Sequence, residues 1–301
     1  MKVVSFYRFL DLADPQAFAA ALRAECGRRS VLGTILVAAE GVNGTIAGTD
    51  ADVRDMLAWI GDALALDTPL EGRWTEASAA PFRRLRVRLK LEIVALGRPD
   101  LGPQHGAGRR VPPEEWNALL DNPDVVVVDT RNHYEIEVGS FPGALDPATD
   151  NFRQFPDFAR ELAASARHRP LAMFCTGGIR CEKATALMLE LGFEEVYQLE
   201  GGILRYLEEM PAGSSRWQGE CFVFDTRVAV DRDLAEGEYV QCHACRRPLS
   251  SSDLASPDYA EGVSCPHCIG TLTPERAARL EERHKQVELA AARGEKHIGP
   301  K

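Results

Sequence analysis

Residues 171–193, LAMFCTGGIRCEKATALMLELGF, join a short apolar run to a helix-periodic segment through a turn that holds two adjacent glycines. LAMFC is apolar throughout and too short for a helix, the pattern of a strand covered on both faces. After the turn, Ala184, Leu187, Met188 and Leu191 recur at helical spacing. A buried strand that runs straight into a helix is half of a βαβ unit. VVVVDT (125–130), a helical stretch near 152–165 and VYQLEGG (196–202) supply the rest of the alternation, which predicts a parallel α/β sheet over 114–212.

The same junction carries chemistry. Cys175 closes the strand and opens the helix, so its sulfur faces unpaired backbone N–H groups and the positive end of the helix dipole. Arg180 adds a full charge, and together these should lower the thiol pKa and make a nucleophile. Gly177 and Gly178 let the backbone of the loop Cys175-Thr176-Gly177-Gly178-Ile179-Arg180 wrap an anion closely. The bland alternative is an inert buried cysteine, which needs neither the glycines nor the arginine. Cys181 either resolves a persulfide or sulfenate on Cys175 or simply packs. Asp129 is expected to hydrogen-bond loop backbone and Arg131 to pair with Glu135, both as scaffold.

Three further regions flank this sheet. Residues 1–97 read as strand, helix, strand, strand, helix, strand, a ferredoxin-like order. Phe18, Ala21, Leu22 and Cys26 mark the inner face of the first helix. Asn43-Gly44 signals a hairpin, and Thr49 caps a second helix with Val53, Met56, Leu57 and Ile60 inward. FRRLRVRLKLEIVAL (82–96) is expected to close the sheet as its fourth strand. Residues 98–113, rich in Gly, Pro and Arg, read as a linker. Residues 213–301 hold FVFDTRVAV, two C-x-x-C pairs and a charged helix from Pro274, whose Glu281, Glu282, Arg283 and Lys285 read as a solvated face.

In that fourth strand Arg84, Arg86, Arg88 and Lys90 alternate with Leu85, Val87, Leu89 and Leu91. Cations on one strand face stand about 6.6 Å apart, able to follow a phosphate backbone, and Phe82 is placed to stack on a base. A solvated strand face reads equally well from the residues alone. Cys242 and Cys245 are separated from Cys265 and Cys268 by residues 246–264, the spacing of a four-cysteine zinc knot. The polar segment between them has little apolar content to fold on without such a staple, so the metal would be structural. An iron–sulfur cluster or four free thiols are the alternatives, and His243 and His267 read as neighbours rather than ligands.

Composition narrows the classes. Eight cysteines in 301 residues, half of them in the two pairs, suit a reducing compartment better than a disulfide framework. The formal net charge of −10 argues against general polyanion binding, though one basic face can still hold RNA. No apolar run of about 18 residues spans a bilayer, and the opening MKVVSFYRFLDLADPQ lacks a signal peptide, so a cytoplasmic protein without a membrane partner is expected. No flavin or nicotinamide fingerprint is present, and the sequence leaves the oligomeric state open.

Cys175-Thr176-Gly177-Gly178-Ile179-Arg180 resembles the six-residue active loop of rhodaneses. Asp129-Thr130-Arg131 looks like their early Asp-x-Arg motif, and Leu199-Glu200-Gly201-Gly202-Ile203 is similar to their late Gly-Gly-Ile signature. Gly139-Ser140-Phe141-Pro142 stands where many rhodaneses have Gly-His-Ile, which removes a histidine as a local proton carrier. Nearly the whole chain, through GVNGTIAG, RLRVRLKLEIV, DTRNHYEIEVG, CTGGIRCEK and GECFVFDTRVAV, resembles the tRNA uridine hydroxylase family. The resemblance implies an acylphosphatase-like first domain and a rhodanese catalytic domain. It also implies a wobble uridine in the tRNA anticodon as substrate, dioxygen as co-substrate, 5-hydroxyuridine as product and Cys175 as the essential cysteine. The rival readings are a sulfurtransferase working through a Cys175 persulfide and a non-catalytic tRNA-binding or redox-sensing module.

Overall fold

The structure, a computed structural model, describes residues 1–294. The first unit runs β1 (Lys2–Phe9), α1 (Pro15–Arg28), β2 (Leu32–Ala38), β3 (Gly41–Gly48), α2 (Asp50–Ala63), β4 (Gly72–Glu76) and β5 (Leu85–Leu89). Asp14 caps α1 by accepting from the Ala17 amide, and Thr49 caps α2 by accepting from that of Asp52. Phe18, Leu22, Met56 and Ile60 from the two helices pack on Val4, Ile35 and Ile46, on one face of the sheet.

The sheet order is β4-β1-β3-β2-β5. The ferredoxin-like order therefore stands, but its fourth strand is GRWTE. The basic strand is a fifth, parallel to β2 at the opposite edge. It ends at Leu89, with Leu89 and Leu91 exposed, so only Val87 and half-buried Leu85 face the core. Asn43-Gly44 is not the turn: both lie inside β3, and the chain reverses at Ala39-Glu40. Gly41 makes that reversal possible, with φ +134° and no room for a Cβ against the Arg8 carbonyl. Ala21 is exposed on α1, and Ala19 and Glu25 take the buried positions.

The second unit contains β6 (Arg109–Val111), α3 (Pro113–Leu120), β7 (Val126–Asp129), α4 (His133–Ile136), β8 (Gly139–Ser140), α5 (Phe155–Ala166), β9 (Leu171–Phe174), α6 (Ile179–Glu190), β10 (Val196–Leu199) and α7 (Gly202–Glu209). Its sheet is all parallel, in the order β6-β10-β9-β7. Helices α5 and α6 cover one face and α3 and α7 the other, each with its own apolar cluster. The segment read as a linker thus delivers the edge strand β6.

The remaining chain is short-stranded: β11 (Gln218–Gly219), β12 (Cys221–Phe222), β13 (Ala229–Val230), β14 (Val240–Gln241) and β15 (Pro248–Leu249), then α8 (Ser251–Leu254) and α9 (Pro274–Ala292). Strand β11 pairs with β8. On the β12–β13 hairpin, buried Arg227 holds Asp225 and donates to Thr75 Oγ1 at 2.9 Å and the Glu76 carbonyl at 3.0 Å, tying this segment to β4. Between the first two units, Lys183 of α6 is fully buried and lies 2.7 Å from both Glu40 and Glu92. Among the described residues no helix is long and apolar enough to cross a membrane.

Candidate active site

Cys175, Asp129 and Gly201 all follow or end parallel strands on one side of the sheet, the side where open α/β sheets bind ligands. Cys175 leaves β9, and Gly178, in the left-handed region at φ +96°, turns the chain into α6. The Gly178 amide donates to Cys175 Sγ at 3.1 Å, with the amides of Arg180 and Cys181 also directed at the sulfur. Burial alone pushes this thiol up. The hydrogen bond from the Cys181 thiol, the Arg180 charge and the backbone amides outweigh it and bring the pKa down to about 6. Cys181 moves the other way, held well above the usual thiol range by burial and by its bond to the Cys175 sulfur. The structure thus brings the two cysteines together, with Thr130 Oγ1 3.7 Å from Cys181 Sγ.

Arg180 is fixed by Glu135, whose carboxylate it meets at 2.7 and 2.8 Å, and reaches Thr176 Oγ1 at 3.4 Å. Two scaffold expectations change as a result. Arg131 pairs with Asp129, at 2.7 Å, and not with the Glu135 carboxylate, which belongs to Arg180. Asp129 reaches the Arg131 amide and the Ser140 hydroxyl, while the contact to the strand carbonyl before Cys175 comes from Thr130. Arg131 and Asp129 are both fully buried.

The thiol loop opens onto a cleft of 1610 Å³ between the two units, lined by Tyr7, Phe9, Lys90, Phe152, Arg180 and Glu200 among others. Tyr7 was not singled out by its sequence context. It projects from β1 and donates to Glu182 of α6 at 3.1 Å, and its hydroxyl lies close above Gly178, 3.1 Å from where a Cβ there would sit. Glu182 also receives Arg110 at 2.7 Å and Gln198 at 3.4 Å. Burial, Glu182 and Cys175 push the Tyr7 phenol above its usual range, so it stays protonated. The available sequence signal was the placing of Tyr7 and Phe9 on the sheet face that alternation assigns to solvent.

Arg84, Arg86, Arg88 and Lys90 are exposed on and beside β5. Lys90 borders the thiol cleft. Arg84 and Arg86 line a second cleft of 1060 Å³ with Cys242, His243 and Arg246. Phe82 lines both clefts but is half-buried against Val3, Ala47 and Ala77.

The sulfurs of Cys242, Cys245, Cys265 and Cys268 all lie within 4.8 Å of one another. Cys265 Sγ is 3.7 Å from that of Cys245 and 3.6 Å from that of Cys268. A tetrahedral centre with Zn–S bonds of about 2.3 Å has sulfur–sulfur edges of about 3.8 Å, so four thiolates here fit a metal ion such as zinc. His267 lies 3.2 Å from Asp253, outside the cluster. Helix α9 is more than a solvated face: Arg276 and Arg283 donate to the carbonyls of Ala244 and His243 at 3.1 and 2.8 Å, clamping the first cysteine turn. Because the apolar cluster here is small, Cys265→Ser or chelation is expected to abolish amide-exchange protection across 240–272 while α6 keeps its own. Protection that survives both treatments would show that no metal holds this segment.

Two family models match the chain: a UPF0176 acylphosphatase-like domain over residues 1–93 and a rhodanese-like domain over 112–209. Among curated proteins, the tRNA uridine(34) hydroxylase of Mesorhizobium japonicum is 51% identical over 300 residues, covering 99% of this chain and 97% of that protein. That of Teredinibacter turnerae is 49% identical over 297 residues, covering 99% and 92%. Identity of this extent, over both matched domains and the cysteine-rich tail alike, places the chain in the tRNA uridine(34) hydroxylase family.

Proposed function

We propose that this protein hydroxylates C5 of the wobble uridine in tRNA, with Cys175 as the reacting sulfur. The observation that carries the reading is a thiol with pKa near 6 at the base of an interdomain cleft whose rim includes Lys90, just past the end of the basic strand. It sits in a chain about half identical, end to end, to tRNA uridine(34) hydroxylases.

Hydroxylation replaces C5–H by C5–OH. With dioxygen, one oxygen atom enters the base and the other leaves as water, which takes two electrons from a reductant. Cys175 serves this in one of two ways. Its thiolate adds to C6, making C5 electron-rich; after oxygen enters, the C5 proton and the sulfur leave and the ring is restored. Alternatively dioxygen and the two electrons of the reductant convert the thiolate to a peroxidised sulfur and then, as water leaves, to a sulfenate, which gives its oxygen to C5 and returns to the thiolate. Cys181, hydrogen-bonded to Cys175, is positioned to condense with a Cys175 sulfenate that has not delivered its oxygen, giving a disulfide and water. Arg84, Arg86, Arg88 and Lys90 supply cations for the phosphates of the anticodon region, and the four-cysteine cluster holds a structural zinc.

The test is nucleoside mass spectrometry on unmodified tRNA incubated with the full-length protein and a reductant, in air and without oxygen. A uridine heavier by one oxygen, formed only in air, is expected. A sulfur-containing nucleoside formed from thiosulfate would make the protein a sulfurtransferase, and an unaltered uridine in air would overturn the reading.

A further inference from the structure

We propose that the second cleft, between the basic strand and the cysteine module, seats RNA phosphates, and that Phe224 stacks on a nucleobase next to the reacting uridine where this cleft meets the thiol cleft. The inference rests on the hydroxylase reading and adds a binding site with its own residues.

Charge is the first argument. In a chain of net charge −10, Arg83, Arg84 and Arg86 of the first unit and Arg246 of the cysteine module converge on one cleft of 1060 Å³. Among the described residues, Arg83, Arg84 and Arg86 form no ion pair, and the Arg246 side chain holds only the neutral Gln241, at 3.0 Å. Of the carboxylates bordering the cleft, Asp225 is taken by Arg227 and Glu236 accepts from Ser78; Glu238 and Glu261 lie on the side of the cysteine module. The guanidinium groups therefore repel one another, most visibly at Arg86, which Arg84, Arg88 and Arg246 all disfavour as a cation. An anion with several charges relieves that repulsion, and a phosphate backbone is such an anion.

Continuity is the second. Thr34, Phe82 and Phe224 line both clefts, so a strand lying along the arginines leads directly to the thiol loop. At that junction Phe224 is 61% exposed, although it lies on a hairpin otherwise packed against two units. Its ring is fixed edge-on to Phe222 at 5.1 Å, and the Arg180 guanidinium lies 6.0 Å from its centroid. An exposed, oriented aromatic ring beside a cationic groove is the combination that binds single-stranded nucleic acid, because every base offers a face to stack. An acidic peptide would use the arginines but not the ring.

The test measures binding of an unmodified tRNA transcript to the full chain across a salt series, with the alkylation rate of Cys175 and the bound metal checked in each variant. Arg84→Glu and Arg246→Glu are each expected to weaken binding about tenfold or more at low salt and to flatten the salt slope by about one. Arg84 is remote from the metal ligands in sequence, so it keeps the test valid if Arg246→Glu disturbs the module. Phe224→Leu is expected to weaken binding about tenfold with the salt slope unchanged, and Phe224→Trp to restore it. Wild-type affinity and slope in both charge reversals overturn the cleft, and wild-type affinity in Phe224→Leu overturns the stacking. If the reversals lose tRNA while wild-type protein binds it without modifying uridine, the cleft stands and the hydroxylase reading falls. If the reversals bind and hydroxylate as wild type does, the reverse holds.

Discussion

Cys175→Ala leaves tRNA bound and ends its hydroxylation, a loss of about 10⁴-fold or more, because both chemical routes pass through this sulfur and no neighbour can replace it. Cys181 is the nearest thiol, but its complete burial, which the substitution leaves in place, holds its pKa up. The pH dependence makes the expectation sharper. With the Cys175 pKa near 6, the thiolate fraction rises from pH 5 to 7 and is nearly complete above that, whereas an ordinary thiol would still be gaining charge at pH 9. Both alkylation of Cys175 and single-turnover hydroxylation should follow the earlier curve. Cys181→Ala removes a donor to the thiolate, so it should move the curve to higher pH without abolishing turnover. Activity in Cys175→Ala, or an alkylation midpoint near 9 in the wild type, would sink the assignment.

The second large effect concerns stability. Asp129→Ala is expected to cost about 3–5 kcal/mol in denaturant unfolding, because it leaves the Arg131 guanidinium buried and uncompensated. Arg131 has no access to water at all. Its remaining partners are the carbonyls of Glu135 and Gly139 and the ring of Trp217, 5.2 Å away, none of which carries a charge. Replacing both residues together with apolar ones of similar volume should recover most of the loss, since the cost lies in the orphaned charge rather than in the pair's net worth. A loss under about 1 kcal/mol for Asp129→Ala would mean that water reaches this site.

What could be read from sequence was local. The thiol loop was legible because strand, glycine turn and helix are contiguous, and the helix dipole and Arg180 act on Cys175 over a few residues. The four cysteines were legible because metal geometry imposes spacing on a chain. The strand GRWTE escaped because it is short and, with only Thr75 buried, shows no apolar alternation. Its omission made the basic strand, in fact the fifth, read as the fourth. Asn43-Gly44 misled because its turn chemistry yielded to sheet packing, where Gly44 fits between Ile35 and Phe6. Partners distant in sequence, Glu135 for Arg180 and Glu182 for Tyr7, could not be assigned by adjacency. Of Cys181-Glu182-Lys183 only Cys181 was singled out from sequence, whereas the next two side chains meet the first domain: Glu182 at Tyr7, and Lys183 at Glu40 and Glu92.

Tyr7 and the Glu40–Lys183–Glu92 junction also bear on how the protein is made. Chains emerge from the ribosome N-terminus first and tend to fold domain by domain, so the wall that carries Tyr7 is expected to form before Cys175 is synthesised. The low-pKa sulfur then arrives beside a partner surface already waiting for it. A circular permutant that begins with the rhodanese-like unit would reverse that order, leaving the newborn thiolate open to oxidants until its wall had been translated.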